Sequence, residues 1–223
     1  VTENKLVQSL AKMGGLSTAV ENGKLTLTAH GKSAHASTPE EGTNALVSLM
    51  GALGLSHATY NRLYAGFCNY DGSGLDLAVS DEKSGNLTIN LTTATIANNK
   101  MEFTVDIRHP ISISHTDILQ KLQHEFSDWQ VTAEHIQKPL YVSPEHPLVA
   151  TLLDAYNSVM GTNEQPIAIG GGTYARALPL GVAFGPVFPH TKSTIHQDDE
   201  CVALTDFYKS IDIYYTAFKT LLF

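Results

Sequence analysis

A proline-rich segment, KPLYVSPEHP at residues 138–147, divides the sequence into two parts with different hydrophobic patterns. Proline has no backbone N–H and a fixed φ angle, so this segment suits a connection between domains better than a helix or strand. Upstream, stretches that alternate apolar and polar residues flank helical stretches. Downstream, short and wholly apolar stretches stand between helices. We therefore expect two domains, at residues 1–137 and 138–223.

The upstream part contains four stretches typical of strands and two typical of helices. Alternation or a high density of β-branched residues predicts strands at residues 24–30, 86–97, 101–108 and 129–136. Apolar residues at helical spacing within 45–53 and 116–126 predict two helices, the first of which ends at Gly54. The resulting order, βαββαβ, is that of a ferredoxin-like domain.

Turn and cap residues refine this prediction. Thr38, Pro39 and Glu41 have the spacing of a capping box, so the first helix is expected to begin at Thr38. The pair Asn98 and Asn99 favours a tight turn between the two middle strands. Residues 57–85 are rich in Asn, Asp, Gly and Ser, and we expect them to be an irregular excursion.

The downstream part has the pattern of a mixed α/β segment. Helices are predicted at residues 148–160, with Gly161 as C-cap, and at residues 204–222. Short apolar strands are predicted at residues 166–169 and 182–184, which suits a mostly parallel sheet. Two strands are too few for such a sheet, so we interpret this part as the end of a larger α/β domain.

Charge and cysteine content limit the function classes. The 14 basic and 22 acidic residues give a formal charge of −8, which argues against a nucleic-acid partner. No apolar run is long enough for a membrane span, and no signal peptide opens the chain. Two cysteines far apart in sequence favour a reducing compartment, the cytoplasm. The absence of an initiator Met suggests a fragment, and removal of the Met is the alternative.

Two side chains stand at positions suited to chemistry. His35 lies between a predicted strand and helix among small residues, which leaves its imidazole accessible as a ligand or hydrogen-bond donor. Arg108 ends the strand MEFTVDIR, and a guanidinium can bind a carboxylate through two parallel hydrogen bonds. The alternatives are a surface histidine in a loop and a surface arginine at a strand end.

A third loop combines glycines with a histidine. Residues 170–173 read GGGT, which allows the backbone to approach a ligand closely but lacks the spacing of a nucleotide-binding loop. His196 is followed by Gln and three acidic residues, so it is a candidate metal ligand or part of a solvated turn. Because the three loops come from both parts, we expect them to meet in a cleft between domains.

Taken together, these loops resemble the dinuclear zinc hydrolases of the aminoacylase and carboxypeptidase-like superfamily, and most closely their Xaa-His, or carnosinase-type, dipeptidases. The resemblance rests on GKSAHASTPEEGTNAL, VDIRHP, and IAIGGGTYARALPLGVAFGPVFP followed by IHQDDE. It implies that residues 1–137 are the later part of a ferredoxin-like lid. Residues 138–223 would then be the C-terminal segment of the α/β catalytic domain.

The resemblance also implies roles for individual residues. His35 would polarise the scissile carbonyl oxygen, and Arg108 would bind the C-terminal carboxylate of a dipeptide. Gly171, Gly172 and Thr173 would bind the same end of the substrate. His196 would be the last metal ligand. Two zinc ions in such enzymes activate a water molecule for attack.

This sequence departs from the family pattern in lacking the upstream motifs that supply the other metal ligands and the general base. We therefore expect the chain to bind zinc weakly or not at all and to be inactive alone, with the missing N-terminal part of the catalytic domain as its partner. The alternatives are a non-catalytic remnant or interaction module, and a related aminoacylase or carboxypeptidase. The oligomeric state is left open by the sequence.

Overall fold

The computed structural model describes residue 10 and residues 15–98, 100–185, 187–191, 194 and 198–223. These residues separate into two compact units. The first consists of the chain up to Pro139 together with Ile169–Gly171, and the second of Leu140–Ala168 with Gly172–Phe223. Within the described ranges, every strand lies in the first unit. The fold is therefore a mixture of helices and small antiparallel sheets.

The first unit contains three β-hairpins and three α-helices in its described residues. The strands are β1 (Leu16–Glu21), β2 (Lys24–Ala29), β3 (Ser80–Asp81), β4 (Gly85–Asn86), β5 (Thr88–Ala97) and β6 (Lys100–Arg108), and the helices are α1 (Ala45–Gly54), α2 (Ala58–Phe67) and α3 (His115–Glu125). Each strand pairs antiparallel with its neighbour in sequence, as β1–β2, β3–β4 and β5–β6.

The hairpin of β1 and β2 follows directly from its turn residues. Asn22 and Gly23 both have positive φ angles, 50° and 73°, which a two-residue turn of this kind requires. The turn sets a regular register in which Glu21 faces Lys24 and Leu16 faces Ala29. Both strands are largely exposed.

The core of the first unit lies against one face of the β5–β6 hairpin. Leu87, Ile89 and Leu91 alternate along the chain and expose 1% or less of their surface. Side chains from all three helices cover this face: Val47 and Met50, Leu63 and Phe67, and Ile118 and Leu122. The opposite face of the hairpin is polar, and its side chains bind the loop of the candidate site.

Two side-chain caps begin the helices that enclose this core. The Asn44 carboxamide oxygen accepts the N–H groups of Leu46 and Val47, which begins α1, and its amide group donates to the carbonyl of Leu91 at 2.8 Å. Ser114 and Asp117 form a reciprocal capping box at α3. Asn44 therefore both begins a helix and binds it to β5.

The second unit is built on two helices, α4 (Pro147–Met160) and α5 (Leu204–Leu222). Pro147 occupies the first turn of α4, and Gly161 ends it in the left-handed region with φ 67°. Among the described residues of this unit, few apolar side chains are buried: Val149, Ala155, Phe188, Ile213 and Ala217. The ring of Phe188 stacks on Tyr156 at 6.3 Å, which anchors the loop before α5.

The ferredoxin-like sheet predicted from the sequence is not confirmed. The strand predicted at residues 129–136 has no regular structure, and β2 pairs with β1 instead of joining β5 and β6. Leu25 and Leu27 are half-buried and stand outside the core cluster of the described residues. The Asn22–Gly23 turn gives β2 a partner that is adjacent in sequence, and this local pairing replaces the long-range one.

Several local predictions were also wrong. The helix expected from Thr38 begins only at Ala45, because residues 39–41 form a single 3-10 turn and Gly42 is extended. The excursion predicted at residues 57–85 contains α2. The strands predicted at residues 166–169 and 182–184 are irregular, since no described strand lies beside them to satisfy their backbone groups. The predicted turn at Asn98 and Asn99 falls partly outside the described residues.

Candidate active site

The loop that carries His35 is closed at its base by a short antiparallel bridge. Lys32 and Thr43 exchange two backbone hydrogen bonds, at 3.0 and 2.9 Å. The glycines beside them make this approach possible: a Cβ atom on Gly31 would lie 2.8 Å from the carbonyl oxygen of Thr43, and one on Gly42 would lie 2.6 Å from that of Lys32. The loop is thus a defined structure on the exposed surface of the first unit.

Ser37 fixes the imidazole of His35 within this loop. The backbone N–H of Ser37 donates to Nδ1 at 3.2 Å, and the Ser37 hydroxyl lies 2.7 Å from the same nitrogen. An amide N–H can only donate, so Nδ1 is the acceptor and the neutral ring carries its proton on Nε2. His35 in this tautomer offers an N–H donor at its outer nitrogen, as stabilisation of a developing oxyanion requires.

The polar face of the β5–β6 hairpin holds the His35 loop in place. The Thr88 hydroxyl and the Asn90 amide both donate to the carbonyl oxygen of Ala36, at 2.9 and 3.2 Å. Thr88 lies directly across the hairpin from Arg108 in the strand register. The structure therefore brings the His35 loop and Arg108, two separate predictions from the sequence, to one face of one hairpin.

Arg108 is held by an acidic neighbour on its own strand. Its Nε and Nη2 atoms donate to the two carboxylate oxygens of Asp106 at 2.7 and 3.0 Å. Asp106 lies across from Asn90, so Thr88, Asn90, Asp106 and Arg108 are neighbouring polar side chains on this face. About a third of each member of the ion pair is exposed. The guanidinium is thus oriented but remains accessible to solvent.

The glycine loop divides between the two units. Gly170 groups with the first unit, where a Cβ atom on it would lie 2.0 Å from Cβ of Ser37, so only glycine fits at this contact. A Cβ atom on Gly171 would meet nothing within 4 Å. Gly172 and Thr173 belong to the second unit, where Thr173 precedes a 3-10 turn. Gly170 thus approaches the His35 loop closely, while the predicted approach of this loop to a ligand stays a prediction.

The predicted metal ligand, His196, lies outside the described residues. Among the residues that the structure does describe, no three or more His, Cys, Asp or Glu side chains form a group suited to a metal ion. The acidic residues that follow it, Asp198, Asp199 and Glu200, are exposed. The described part of this chain does not by itself provide a zinc site.

Asp206 is a buried carboxylate that the sequence analysis missed. It lies in the first turn of α5 and accepts hydrogen bonds from the Thr191 hydroxyl at 2.6 Å and from Nε2 of His190 at 3.0 Å. The hydrogen bond from Thr191, followed by that from His190, lowers the pKa of Asp206. The available sequence signal was an acidic residue near a helix start. Its partners show a structural role in the second unit.

Asp81 is a second carboxylate with a lowered pKa, and its contacts give it a structural role. Burial alone would raise its pKa, but hydrogen bonds from Ser84, Ser112 and Lys83 outweigh that effect and lower the pKa to about 2. These contacts close the β3–β4 turn and bind it to the segment before α3.

The sequence analysis also missed Asp106, Thr88 and Asn90. Strand alternation around Arg108 was the signal that could have revealed Asp106.

Neither cysteine forms a disulfide: Cys68 is half-buried and Cys201 is exposed. Among the helices in the described ranges, none combines the length and apolar content that a bilayer crossing requires.

Comparison with known proteins agrees with this arrangement. Residues 22–132, which include the His35 loop and the β5–β6 hairpin, match the peptidase dimerisation domain of the M20 family. The chain is 34% identical over 204 residues to "Putative dipeptidase YtjP" of Bacillus subtilis, a match that covers 88% of this chain and 44% of that protein. The chain belongs to the M20 peptidase family.

Two relatives from staphylococci are also similar to this M20 chain over most of its length. A protein of Staphylococcus epidermidis named as a dipeptidase is 30% identical over 230 residues, covering 98% of the chain and 48% of that protein. A Staphylococcus haemolyticus relative is 28% identical over 214 residues, with 91% and 45% coverage. The chain thus spans about half the length of the curated relatives it matches.

Proposed function

We propose that this M20 chain is the C-terminal half of a cytoplasmic dinuclear zinc dipeptidase of the Xaa-His, or carnosinase, type. In this proposal residues 1–137 are the later part of the lid, and residues 138–223 are the C-terminal segment of the catalytic domain. The relatives named as dipeptidases and the match to a peptidase dimerisation domain support the peptidase class.

One observation supports the proposal above all others. The polar face of the β5–β6 hairpin binds the His35 loop through Ala36 and carries Arg108 at its edge. A dipeptide presents a carbonyl that becomes an oxyanion during hydrolysis, and a free carboxylate a few ångströms away. The loop bound to this face carries an N–H donor and the face itself carries a guanidinium, which are the kinds of group that an oxyanion and a carboxylate require.

Each proposed site residue then has a chemical role. His35 donates from Nε2 to the developing oxyanion, which places its contribution in the transition state. Arg108 binds the substrate carboxylate and so limits the site to short peptides. Gly171, Gly172 and Thr173 are proposed to bind the same end of the substrate through their backbone.

The metal site of the proposed enzyme would lie mainly outside this chain. His196 is the proposed last ligand, and one imidazole is not enough to hold zinc, which takes four ligands in structural sites and three protein ligands in catalytic ones. We therefore propose that the chain alone binds zinc weakly and does not hydrolyse dipeptides.

The partner that completes the site is proposed to bind on α5. The α5 stripe, defined as Leu204, Tyr208, Ile211, Tyr215, Phe218 and Leu222, repeats at intervals of four and three residues and is exposed along its length. Such a stripe is typical of a helix that packs against another layer. We propose that the N-terminal part of the catalytic domain covers it.

A zinc-binding and activity assay on two proteins tests this proposal. Equilibrium dialysis should show weak zinc binding and no dipeptide hydrolysis for the chain alone. A full-length enzyme that carries this sequence as its C-terminal part should bind two zinc ions and hydrolyse dipeptides. Two tightly bound zinc ions on the chain alone would contradict the proposed division of the site.

A second candidate function is a non-catalytic association module. The observation in its favour is the match of residues 22–132 to a domain described as a peptidase dimerisation domain. On this candidate the first unit pairs with a second copy of itself. Analytical ultracentrifugation of the chain distinguishes the two: a tight dimer with no loss on zinc chelation, together with inactivity of the full-length protein, would favour the association module.

A further inference from the structure

The ion pair of Arg108 and Asp106 has a specific geometry. A guanidinium offers two edges to a carboxylate: the side-on edge, made of Nε and one Nη atom, and the end-on edge, made of both Nη atoms. Asp106 occupies the side-on edge, with Nε to Oδ1 at 2.7 Å and Nη2 to Oδ2 at 3.0 Å. The end-on edge donates no hydrogen bond to any other described residue.

The neighbours on the same face keep this pairing intact. Asn90, the residue directly across from Asp106, donates its amide to Ala36, and Thr88, across from Arg108, does the same with its hydroxyl. Each strand thus supplies one pair: β5 holds the His35 loop, and β6 holds the guanidinium. No described side chain other than Asp106 is hydrogen-bonded to Arg108.

We propose that Asp106 is a positioning residue for substrate recognition, an inference that rests on the proposed function of Arg108. Asp106 binds the side-on edge and thereby orients the end-on edge towards the substrate carboxylate. A free arginine side chain loses much rotational freedom when it binds a carboxylate. Asp106 removes most of that loss in advance, so it improves binding without contacting the substrate.

The opposite role makes the opposite prediction. If Asp106 competed with the substrate for the guanidinium, its removal would tighten binding of carboxylates. The geometry favours positioning because the edge that Asp106 occupies is distinct from the end-on edge. A second carboxylate can therefore bind while Asp106 stays in place.

Nuclear magnetic resonance of the Arg Nε–H groups tests the orientation on this chain directly. The sequence has three arginines, Arg62, Arg108 and Arg176, so three signals are expected. Asp106→Ala should speed hydrogen exchange of the Arg108 Nε–H several-fold. The control is Asp128→Asn, which removes the charge of the carboxylate 2.7 Å from Arg62 and should leave the Arg108 signal unchanged. Titration of the wild-type chain with acetate should leave the Arg108 Nε–H protected from hydrogen exchange. Displacement of Asp106 from the side-on edge by acetate would overturn the proposal.

Kinetics of the full-length enzyme test the consequence. Asp106→Ala should raise KM for a dipeptide about threefold to tenfold, the range expected from ordering one long side chain, with kcat nearly unchanged. The KM of Asp106→Asn, which keeps one acceptor oxygen, should lie between those of the wild type and Asp106→Ala. The KM of the matching dipeptide amide should not change, and Asp128→Asn should have no effect on either substrate.

Arg108→Ala separates failure of this inference from failure of the proposed function. If Arg108→Ala raises KM and Asp106→Ala leaves it unchanged or lowers it, the positioning role is wrong and the proposed function stands. If Arg108→Ala also leaves KM unchanged, the carboxylate-binding role of Arg108 has failed, and the inference fails with it.

Discussion

The two units of this chain differ in how completely they bury their apolar residues. In the first, Ile89 and Leu77 expose none of their surface, and helices cover the hairpin face that carries Leu87, Ile89 and Leu91. In the second, Ile167 is 84% exposed and Tyr174 98% exposed. A helix or sheet with an apolar face needs a second layer to cover it. The first unit contains its own second layer, whereas the second unit lacks one within the described residues.

Helix α5 shows this difference within a single element. One face buries Asp206, Ser210, Ile213 and Ala217 against the rest of the second unit. The α5 stripe lies on another face and remains exposed. A helix that is apolar on more than one side is typical of the interior of a larger domain. The proposed partner on the α5 stripe would account for this difference between the units.

Truncation of apolar side chains should reveal the difference most strongly. Ile89→Ala should lower the free energy of unfolding of the first unit by about 2–5 kcal/mol, because it leaves a cavity in a closed core. Phe218→Ala, on the α5 stripe, should change the unfolding of the second unit by no more than about 0.5 kcal/mol. Trp129, the only tryptophan, packs against Phe103 in the first unit, so its fluorescence in urea reports that unit.

Circular dichroism, which reports the helices of both units, supplies the second measurement. Equal losses of unfolding free energy in Ile89→Ala and Phe218→Ala would contradict the difference between the units, since they would mean that the α5 stripe is already covered in the isolated chain.

Helix caps should give a smaller effect of opposite sign in the two units. Asn44→Ala removes the cap of α1 and should cost about 1 kcal/mol, with a range of about 0.5–2. Ala203 begins α5 without a side-chain cap. Ala203→Ser should therefore stabilise the second unit, by up to about 1 kcal/mol. Thermal unfolding followed by circular dichroism measures both, and a stability gain from Asn44→Ala would contradict the assigned cap.

Acid should produce the smallest effect, through Asp81 in the first unit. Its pKa in the folded chain is about 2, below its usual value of 3.8. A carboxyl with a lowered pKa contributes stability above its usual pKa and loses it as the pH falls through the folded value. Unfolding of the wild-type first unit should therefore become easier between about pH 4 and pH 2.

Asp81→Asn should flatten this dependence, as followed by Trp129 fluorescence in urea at each pH. The same pH slope in wild type and variant would show that the Asp81 contacts do not stabilise the fold.

Sequence alone predicted the elements whose signals are local. Helix α4 was predicted to within one residue with Gly161 as its C-cap, α5 by its apolar spacing, and the β5–β6 hairpin by β-branched residues around a turn pair. Predictions that depended on distant partners failed: the strands at 129–136 and 166–169 lack a neighbouring strand. A short apolar stretch does not specify whether a partner strand is present.

The site residues named from the sequence stay predictions, and the connections between them could not be predicted. His35 and Arg108 stood out by residue type and position. Their common face depends on Thr88 and Asn90, which bind the carbonyl of Ala36 more than fifty residues away in sequence. Side-chain to backbone contacts of this kind leave no periodic pattern. The pairing of Asp106 with Arg108 could have been predicted, because residues two apart on a strand share a face. The stated role of His196 stays a prediction.

Replacement of His35 in the full-length enzyme tests the central claim most directly. If His35 donates to the developing oxyanion, His35→Ala should lower kcat by roughly a hundred- to a thousandfold, the usual effect of removing one such donor. Zinc content should not change, because His35 is not proposed as a ligand, and Ser37→Ala, which removes one contact to the ring, should lower kcat much less. Unchanged kcat in a zinc-loaded His35→Ala enzyme would contradict the account and leave His35 as a surface residue of its loop.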